Sequence, residues 1–380
     1  MKLLFITHHY LSGVGGGTFA TKAFINAFAE IFPNCVTLLF PIKNIDDKIS
    51  DLNKNIKKVP VTYNIPKWKK LYNLCIGKTH RFYEIFKEIT KNEKYEYVVF
   101  DNSCVSLGLI DIAHNIHAKV ITIHHNYEFE YIRDSSPNKF IRAIQLYWTK
   151  KYEGQSVIKS DLNLTLTKQD KELLKKNYHA KNAEIQVIGC FEYKNKNYIY
   201  KNYSQPNTFI ITGNLSAKQT ENSLIPWLHT YLPLLAKSIP NYKLTIAGKN
   251  PSNEIKELCF KLNIKLIDTP PSMNLILEES QFYICPTSLG GGIKLRIMDG
   301  LSHGLPVLTH QVSARGYDYF NDKYLFTYND RYSFCKALEK LKELKYDYKD
   351  IIEEYKEIFS YQEGVKRLQI ILHNRFNIQQ

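Results

Sequence analysis

The stretch from Tyr283 to Val307, YICPTSLGGGIKLRIMDGLSHGLPV, narrows the choice of fold more than any other part of the chain. A short apolar run, Phe282–Cys285, stops at Pro286, and three glycines follow, Gly290, Gly291 and Gly292. The run from Ile293 to His303 then has helical spacing and ends at Gly304 with Pro306 just beyond, a helix stop with a mechanism. Strand, glycine turn and helix in this order predict an α/β unit. Such a turn leaves backbone N–H groups bare at the positive end of a helix, where anions bind. Lys294 and Arg296 place cations in a first turn that would ordinarily favour acids, which argues for an anionic ligand. Asp299 lies seven residues past Gly292, roughly 10 Å along a helix. A carboxylate there can accept hydrogen bonds from a sugar's vicinal hydroxyls while the turn holds a phosphate, which is the layout of a nucleoside diphosphate. Taken alone, the turn also reads as an ordinary connection with a solvated basic face.

The N-terminal half repeats the pattern. Lys2–His8 is an apolar run, SGVGGGT (Ser12–Thr18) is a glycine loop, and Phe19–Phe32 carries a helical stripe at Phe19, Ala23, Phe24, Ala27, Phe28 and Ile31. The loop is not a nicotinamide fingerprint. With Gly13 and Gly15 as its first two glycines, the third position is Thr18, and no acid follows the next strand, Cys35–Phe40. Further strands are expected at Tyr97–Asp101, Val120–Ile123, Asp161–Leu166, Ile185–Ile188, Thr208–Thr212, Leu244–Gly248 and Ile264–Ile267. Helices are expected at Phe140–Ile158, Glu339–Lys345, Tyr348–Phe359 and Gln362–Phe376, with Thr167 and Asp170 as an N-cap pair. Residues 191–207, rich in Tyr, Asn and Lys, read as a linker between two strand–helix blocks. Ile65–Ile89 is a basic amphipathic segment. Its apolar positions include Trp68, Leu71 and Phe86, and Lys67, Lys69, Lys70, Lys78 and Arg81 are its cations. It suits an anionic lipid surface or an ordinary core-facing helix.

The late glycine turn resembles the donor-site motif of glycosyltransferase family 4, retaining enzymes of GT-B fold, close to G-x-G-x-K-x-(K/R)-x-x-E-A-(L/M)-x-x-G-x-P-V. Lys294, Arg296, Gly304, Pro306 and Val307 match, Asp299 stands for the glutamate, and Gly291 occupies a position where many members carry a second glutamate. The resemblance is supported by Gly15–Thr18, by His125, Asn126 and Glu128 at the end of a strand, and by KKYE at Lys150–Glu153. It implies two Rossmann-like domains facing a cleft: an acceptor domain over 1–190, a linker over 191–207, a donor domain over 208–358, and a terminal helix over 359–380 that returns to the first domain. It implies donor contacts from Gly15, Gly16, Gly17, Thr18, Gly213, Lys218, Gly290, Gly291, Gly292, Ile293, Lys294 and Asp299. Asp299 would sit on the ribose. His125 would orient the transferred sugar, with His124 competing for that role. Asn214 stands where members commonly have an arginine. The reaction implied is transfer of a hexosyl group from a UDP- or GDP-sugar to a saccharide, lipid-linked or glycoprotein acceptor in bacterial surface glycan synthesis. No D-x-D lies in a suitable loop, so no metal and no other cofactor are expected.

Composition sets the outer limits. The 380 residues suffice for two α/β domains. No apolar run reaches the ~18 residues of a membrane span, and the N-terminus reads as a first strand. The seven cysteines are scattered without a C-x-x-C, which suggests single thiols in a reducing cytosol. A formal charge of +14 fits nucleic acid, an anionic membrane or phosphorylated small molecules. Charge alone does not choose among these, and no aromatic–glycine RNA motif or Cys/His finger is present. What the resemblance implies is a nucleotide-sugar enzyme, in the cytoplasm or at the inner face of the plasma membrane. A sugar-nucleotide 2-epimerase of the same fold, a non-catalytic sugar-nucleotide binder, a nicotinamide oxidoreductase and an RNA-binding protein are the competing readings.

Overall fold

The computed structural model describes residues 1–13, 15–44, 49–62, 66–76, 82–136, 138–200 and 205–378, and divides the chain into two units. Unit 1 comprises Met1–Lys196 and Ser360–Gln380, and unit 2 comprises Asn197–Phe359.

In unit 1 the strands are β1 (Leu3–Thr7), β2 (Val36–Ile42), β3 (Lys57–Thr62), β4 (Tyr97–Asp101), β5 (Lys119–His124), β6 (Leu162–Thr165) and β7 (Ile185–Val187). All pair in parallel, in the order β3-β2-β1-β4-β5-β6-β7. The helices before the unit boundary are α1 (Gly16–Ile31), α2 (Lys67–Cys75), α3 (Tyr83–Asn92), α4 (Ser103–Ser106), α5 (Ile110–Asn115), α6 (Glu128–Ser135), α7 (Lys139–Lys159) and α8 (Lys168–Asn177). Strands β1 and β4 are buried along their whole length, as parallel strands covered on both faces must be. Their apolar runs, LLFIT and YVVFD, are what made them legible as strands. Thr167 caps α8 as expected: its hydroxyl accepts the Asp170 N–H at 3.0 Å and donates to the Asp170 carboxylate at 2.6 Å.

Unit 2 has β8 (Thr208–Asn214), β9 (Lys243–Lys249), β10 (Lys265–Asp268), β11 (Phe282–Cys285), β12 (Val307–His310) and β13 (Leu325–Tyr328), parallel in the order β10-β9-β8-β11-β12-β13. Its helices are α9 (Lys218–Thr230), α10 (Leu232–Ser238), α11 (Asn253–Lys261), α12 (Asn274–Glu278), α13 (Arg296–Ser302), α14 (Arg331–Glu343) and α15 (Tyr348–Phe359). One apolar cluster centred on Trp227, Phe282, Ile284, Phe334 and Leu338 forms its core. The last helix, α16 (Tyr361–Phe376), belongs to unit 1 and packs on α1. Gly364 lets it close on Phe191, because a Cβ there would lie 2.1 Å from the ring. Arg367 and Arg375 donate to the carbonyls of Ile188 and Asp161 at 3.1 and 2.8 Å. Phe191 is fully buried, and the boundary falls after Lys196, so the first residues of the expected linker are part of unit 1. Residues 201–204 of that linker lie outside the described residues.

The structure differs from the sequence reading in several places. Ile65–Ile89 is not one amphipathic element: α2 has no buried residue, whereas Phe82 and Phe86, at the start of and within α3, are core. Ile65, Lys78 and Arg81 lie outside the described residues. Strand β3, KKVPVT, was not anticipated, because an edge strand with a proline and an exposed face carries little periodic signal. Strands β12 and β13 were also unanticipated. Helix α14 starts at Arg331, eight residues before the expected Glu339, under a capping box between Asp330 and Ser333. Among the described residues, no helix is long and apolar enough to cross a membrane.

Candidate nucleotide-sugar site

In each sheet the strand order reverses direction once, between β1 and β4 in unit 1 and between β8 and β11 in unit 2. Open α/β sheets bind ligands at this switch point, beyond the carboxyl ends of the strands. The residues singled out in the sequence gather at these two places, each within its own unit.

At the unit 1 switch point β1 ends in Thr7, β4 in Asp101 and β5 in His124. Asp101 is fully buried and saturated with donors. The Thr7 and Thr21 hydroxyls both reach its Oδ2 at 2.6 Å, and His125 Nε2 lies 2.6 Å from its Oδ1. His125 is also buried, and its Nδ1 finds no protein partner among the described residues. His124, the last residue of β5, and His125, just beyond it, diverge as successive side chains of an extended chain do. His124 turns to Asn163 Oδ1 at 3.0 Å, and His125 turns to the switch point. Burial pushes His124 down to about 4. For His125 burial acts in the same direction, but the Asp101 carboxylate outweighs it and raises the imidazole above its usual value. For Asp101, burial favours the neutral acid, and the His125 charge and hydrogen bond outweigh it and lower the carboxyl. Both shifts favour the charged forms of the pair, and one imidazole nitrogen is left without a protein partner among the described residues.

The glycine loop frames this pair. Helix α1 begins at Gly16 with Gly15 as its N-cap, without a side-chain cap and without an acid in its first turn. Gly15 and Gly16 are exposed, and a Cβ on Gly15 would meet open space, so packing does not require glycine there. Gly17 does require it: a Cβ would lie 2.5 Å from the His9 ring. Thr18 is buried and donates to the Tyr10 carbonyl at 3.3 Å. His9 stands edge-on to His125, with centroids 5.6 Å apart, and burial pushes it down to about 4. The donor atoms of His9, Asp101 and His125 lie within 4.8 Å of one another, the spacing of a metal site. A metal there would have to displace the direct Asp101–His125 bond. Beside the pair, Asn102 adopts φ 96° and donates to Glu128 Oε1 at 2.5 Å, as Asn126 does at 2.9 Å. Glu128 thus serves the shape of the loop.

In unit 2 the helix after the glycine turn starts at Arg296, not at Ile293. Gly290 and Gly292 take φ of +79° and +70°, the left-handed region that glycine tolerates, and the chain needs three more residues to enter the helix. Asp299 is therefore one turn into α13, exposed, and the 10 Å expected of an uninterrupted helix does not apply. Gly290, Gly291, Gly292 and Lys294 are buried, and Ile293 is half-buried. The Lys294 ammonium turns back onto its own loop and donates to the carbonyls of Gly291 at 2.7 Å and Gly290 at 3.2 Å. The Lys294 carbonyl accepts from the Tyr317 hydroxyl at 3.0 Å. Buried carbonyls thus fix a cation at the carboxyl edge of β11. Arg296 does not point outward as a second open cation. It donates to Thr220 Oγ1 at 3.2 Å and Thr287 Oγ1 at 3.4 Å, and lies so close over Gly213 that a Cβ there would be 2.8 Å from its Nη1. That contact joins the end of β8 to α13. Lys218 is 79% exposed and paired with Glu221 at 2.5 Å. Asn214 accepts from the Ser216 backbone and hydroxyl and so shapes its own turn.

Residues 206–343 match the family model described as Glycosyl transferases group 1. The matched stretch lies within unit 2 and contains the whole late glycine turn, Gly213, Lys218 and Asp299. A curated relative, an uncharacterized 44.6 kDa protein in the cps region of Klebsiella pneumoniae, is 25% identical over 268 residues. The matched stretch spans 66% of this chain and 66% of that relative, just under two thirds of its length. Sucrose-phosphate synthase of Thermosynechococcus elongatus superposes with a TM-score of 0.74 at 13% identity, covering 100% of both chains. The pneumococcal O-GlcNAc transferase GtfA, solved with UDP and GlcNAc, superposes with a TM-score of 0.63 at 10% identity, covering 99% of both. These likenesses establish the fold, GT-B, with two Rossmann-like units.

Four participants escaped the sequence reading as site residues: Asp101, Thr7, Thr21 and Thr220. Asp101 alone left a signal, an acid closing the apolar run YVVFD. Only the pairing of β4 with β1 and β5 gives it meaning.

Proposed function

We propose that the chain is a retaining, metal-independent glycosyltransferase. It would move a hexosyl group from a UDP- or GDP-sugar to a saccharide, lipid-linked or glycoprotein acceptor in bacterial surface glycan synthesis, at the cytoplasmic face of the plasma membrane. The observation that carries this reading is the buried Lys294 ammonium, anchored beside the glycine turn at the β8/β11 switch point inside a group 1 domain. Cleaving the anomeric C–O bond puts positive charge on the sugar and extra negative charge on the departing diphosphate. A fixed donor that meets that charge is worth about 2.7–4 kcal/mol. Lys294 supplies it, with the amides of its own glycine turn. Lys218 contributes only by exchanging Glu221 for phosphate. Asp299 accepts from the ribose hydroxyls. The acceptor hydroxyl attacks from the face the diphosphate leaves, and a diphosphate oxygen takes its proton. His125 Nδ1, held by Asp101 through the other nitrogen, hydrogen-bonds a sugar hydroxyl. GtfA is described in complex with UDP, and the relative in a cps region; both accord with this reading.

Thermal unfolding against UDP, GDP and their sugars tests the donor. A nucleotide at about a hundred times its Kd stabilises by about 2.7 kcal/mol, and no shift with any of them removes the reading. Lys294→Ala should cut donor turnover about a hundredfold; near-normal turnover would refute the phosphate role. Activity should survive excess EDTA, and its loss would return His9, Asp101 and His125 to consideration as a metal site. One observation favours a second reading, a binder without turnover: Asn214 offers its turn an amide and no charge. UDP release from a donor that stabilises the protein separates the two.

A further inference from the structure

We infer that α2 and α7 together form a surface that seats unit 1 on an anionic lipid membrane. This rests on the membrane-face reading above and names the residues that would carry it. Helix α2 buries none of its residues, although its apolar side chains share one side. Trp68, Leu71 and Tyr72 stand at i, i+3 and i+4, and all are exposed, Trp68 to 71%. An amphipathic helix that keeps its apolar side in water does so for something outside the fold. Helix α2 rests on α7, whose Trp148 Nε1 donates to the Cys75 carbonyl at 3.3 Å. Helix α7 adds exposed Phe140 (74%) and Tyr147.

The charge on these two helices has one sign at the surface. Lys67, Lys69 and Lys70 lie on α2, and Lys139, Arg142, Lys150 and Lys151 on α7. Their one acid is Glu153, which is fully buried. Acids on the neighbouring α6 are engaged locally, Asp134 and Glu130 by Arg133. Lys151 lies over the rings of Tyr147 and Trp148, at 4.8 and 5.1 Å from their centroids. Tryptophan and tyrosine with lysine stems around them are the chemistry of a helix lying at the headgroup level, with rings in the acyl boundary and ammonium groups at lipid phosphates. A second copy docking through the same face would oppose like charges, so lipid is the occupant the charges favour.

The test is co-sedimentation of the full chain with vesicles of phosphatidylglycerol and phosphatidylcholine, or of phosphatidylcholine alone. Binding should require the anionic lipid, fall with added salt, and blue-shift tryptophan emission by an amount that Trp68→Phe reduces. Lys69→Glu with Lys70→Glu should weaken partitioning by more than about tenfold, and Trp68→Ala should weaken it as well. Both variants should keep the wild-type Tm and the same thermal shift with UDP. Equal binding to neutral vesicles, variants that bind as wild type, or a concentration-dependent dimer with no vesicle binding would each overturn the inference. Loss of the UDP shift in the wild type with vesicle binding retained would remove the donor reading and leave this surface standing.

Discussion

Asp101 and His125 titrate as a unit, and the sign of their contribution can be worked out. The raised His125 value means that the native state holds its proton to higher pH than the unfolded chain does. The stability it adds is complete below the ordinary imidazole value of 6.5 and is lost as pH rises through the raised one. Asp101→Asn removes the attraction and leaves burial, which pulls the imidazole the other way. We expect the variant to lose that alkaline decline in urea-unfolding stability, and the acidic limb of its kcat/KM profile to move. An unchanged profile would reduce Asp101 to a packing residue. At this scale the sequence was legible where chemistry is local. Lys294 and the glycines around it declared themselves within five residues. The partnership of Asp101 did not, because its donors sit 80 and 24 residues away, at Thr21 and His125, and only strand pairing brings them together.

Among elements, α6 shows how a buried acid can hold a loop. Glu153 on α7 accepts the Glu128 N–H at 2.8 Å, at the start of α6, and the Tyr178 hydroxyl at 2.7 Å. Burial pushes this carboxyl up from 4.5 to about 8. A folded value above the unfolded one means that stability falls as pH rises from about 4.5 towards 8. Glu153→Gln keeps an acceptor for the backbone and should flatten that slope in pH-dependent thermal unfolding; a slope equal to wild type would refute the assignment. Elements were legible where burial is two-sided, as in β1, β4 and β11, whose apolar runs needed no partner to be recognised. The start of α13 was not, because Lys294 and Leu295 are helix formers by propensity. What delays the helix is the left-handed geometry of Gly290 and Gly292 and the bonding of Lys294 back to that turn, local geometry that residue propensity does not register.

For the whole molecule, the closing helix matters most. Tyr361, Val365, Leu368 and Leu372 are buried in unit 1, and the aliphatic ones are worth about 1.5–3 kcal/mol each. Their sum rivals the total stability of a typical domain, about 5–15 kcal/mol. Truncation before Ser360 should therefore unfold unit 1 while unit 2, uninterrupted in sequence, keeps its slow amide exchange. Uniform protection in both would show α16 to be ornamental. The alternation of strands and helices in two blocks was enough to read the fold class, since parallel sheets of this order need little beyond that pattern.

Because α16 closes unit 1 from the far end of the chain, synthesis and folding run out of step. The first sheet leaves the ribosome early, yet the side of α1 meant for α16 stays bare until all of unit 2 and then α16 itself have been translated. Unit 2, encoded in one piece between, is complete sooner. A nascent polypeptide stalled at the end of α15 would thus display a finished lobe beside an unfinished one, and the unfinished lobe is the natural client for a chaperone.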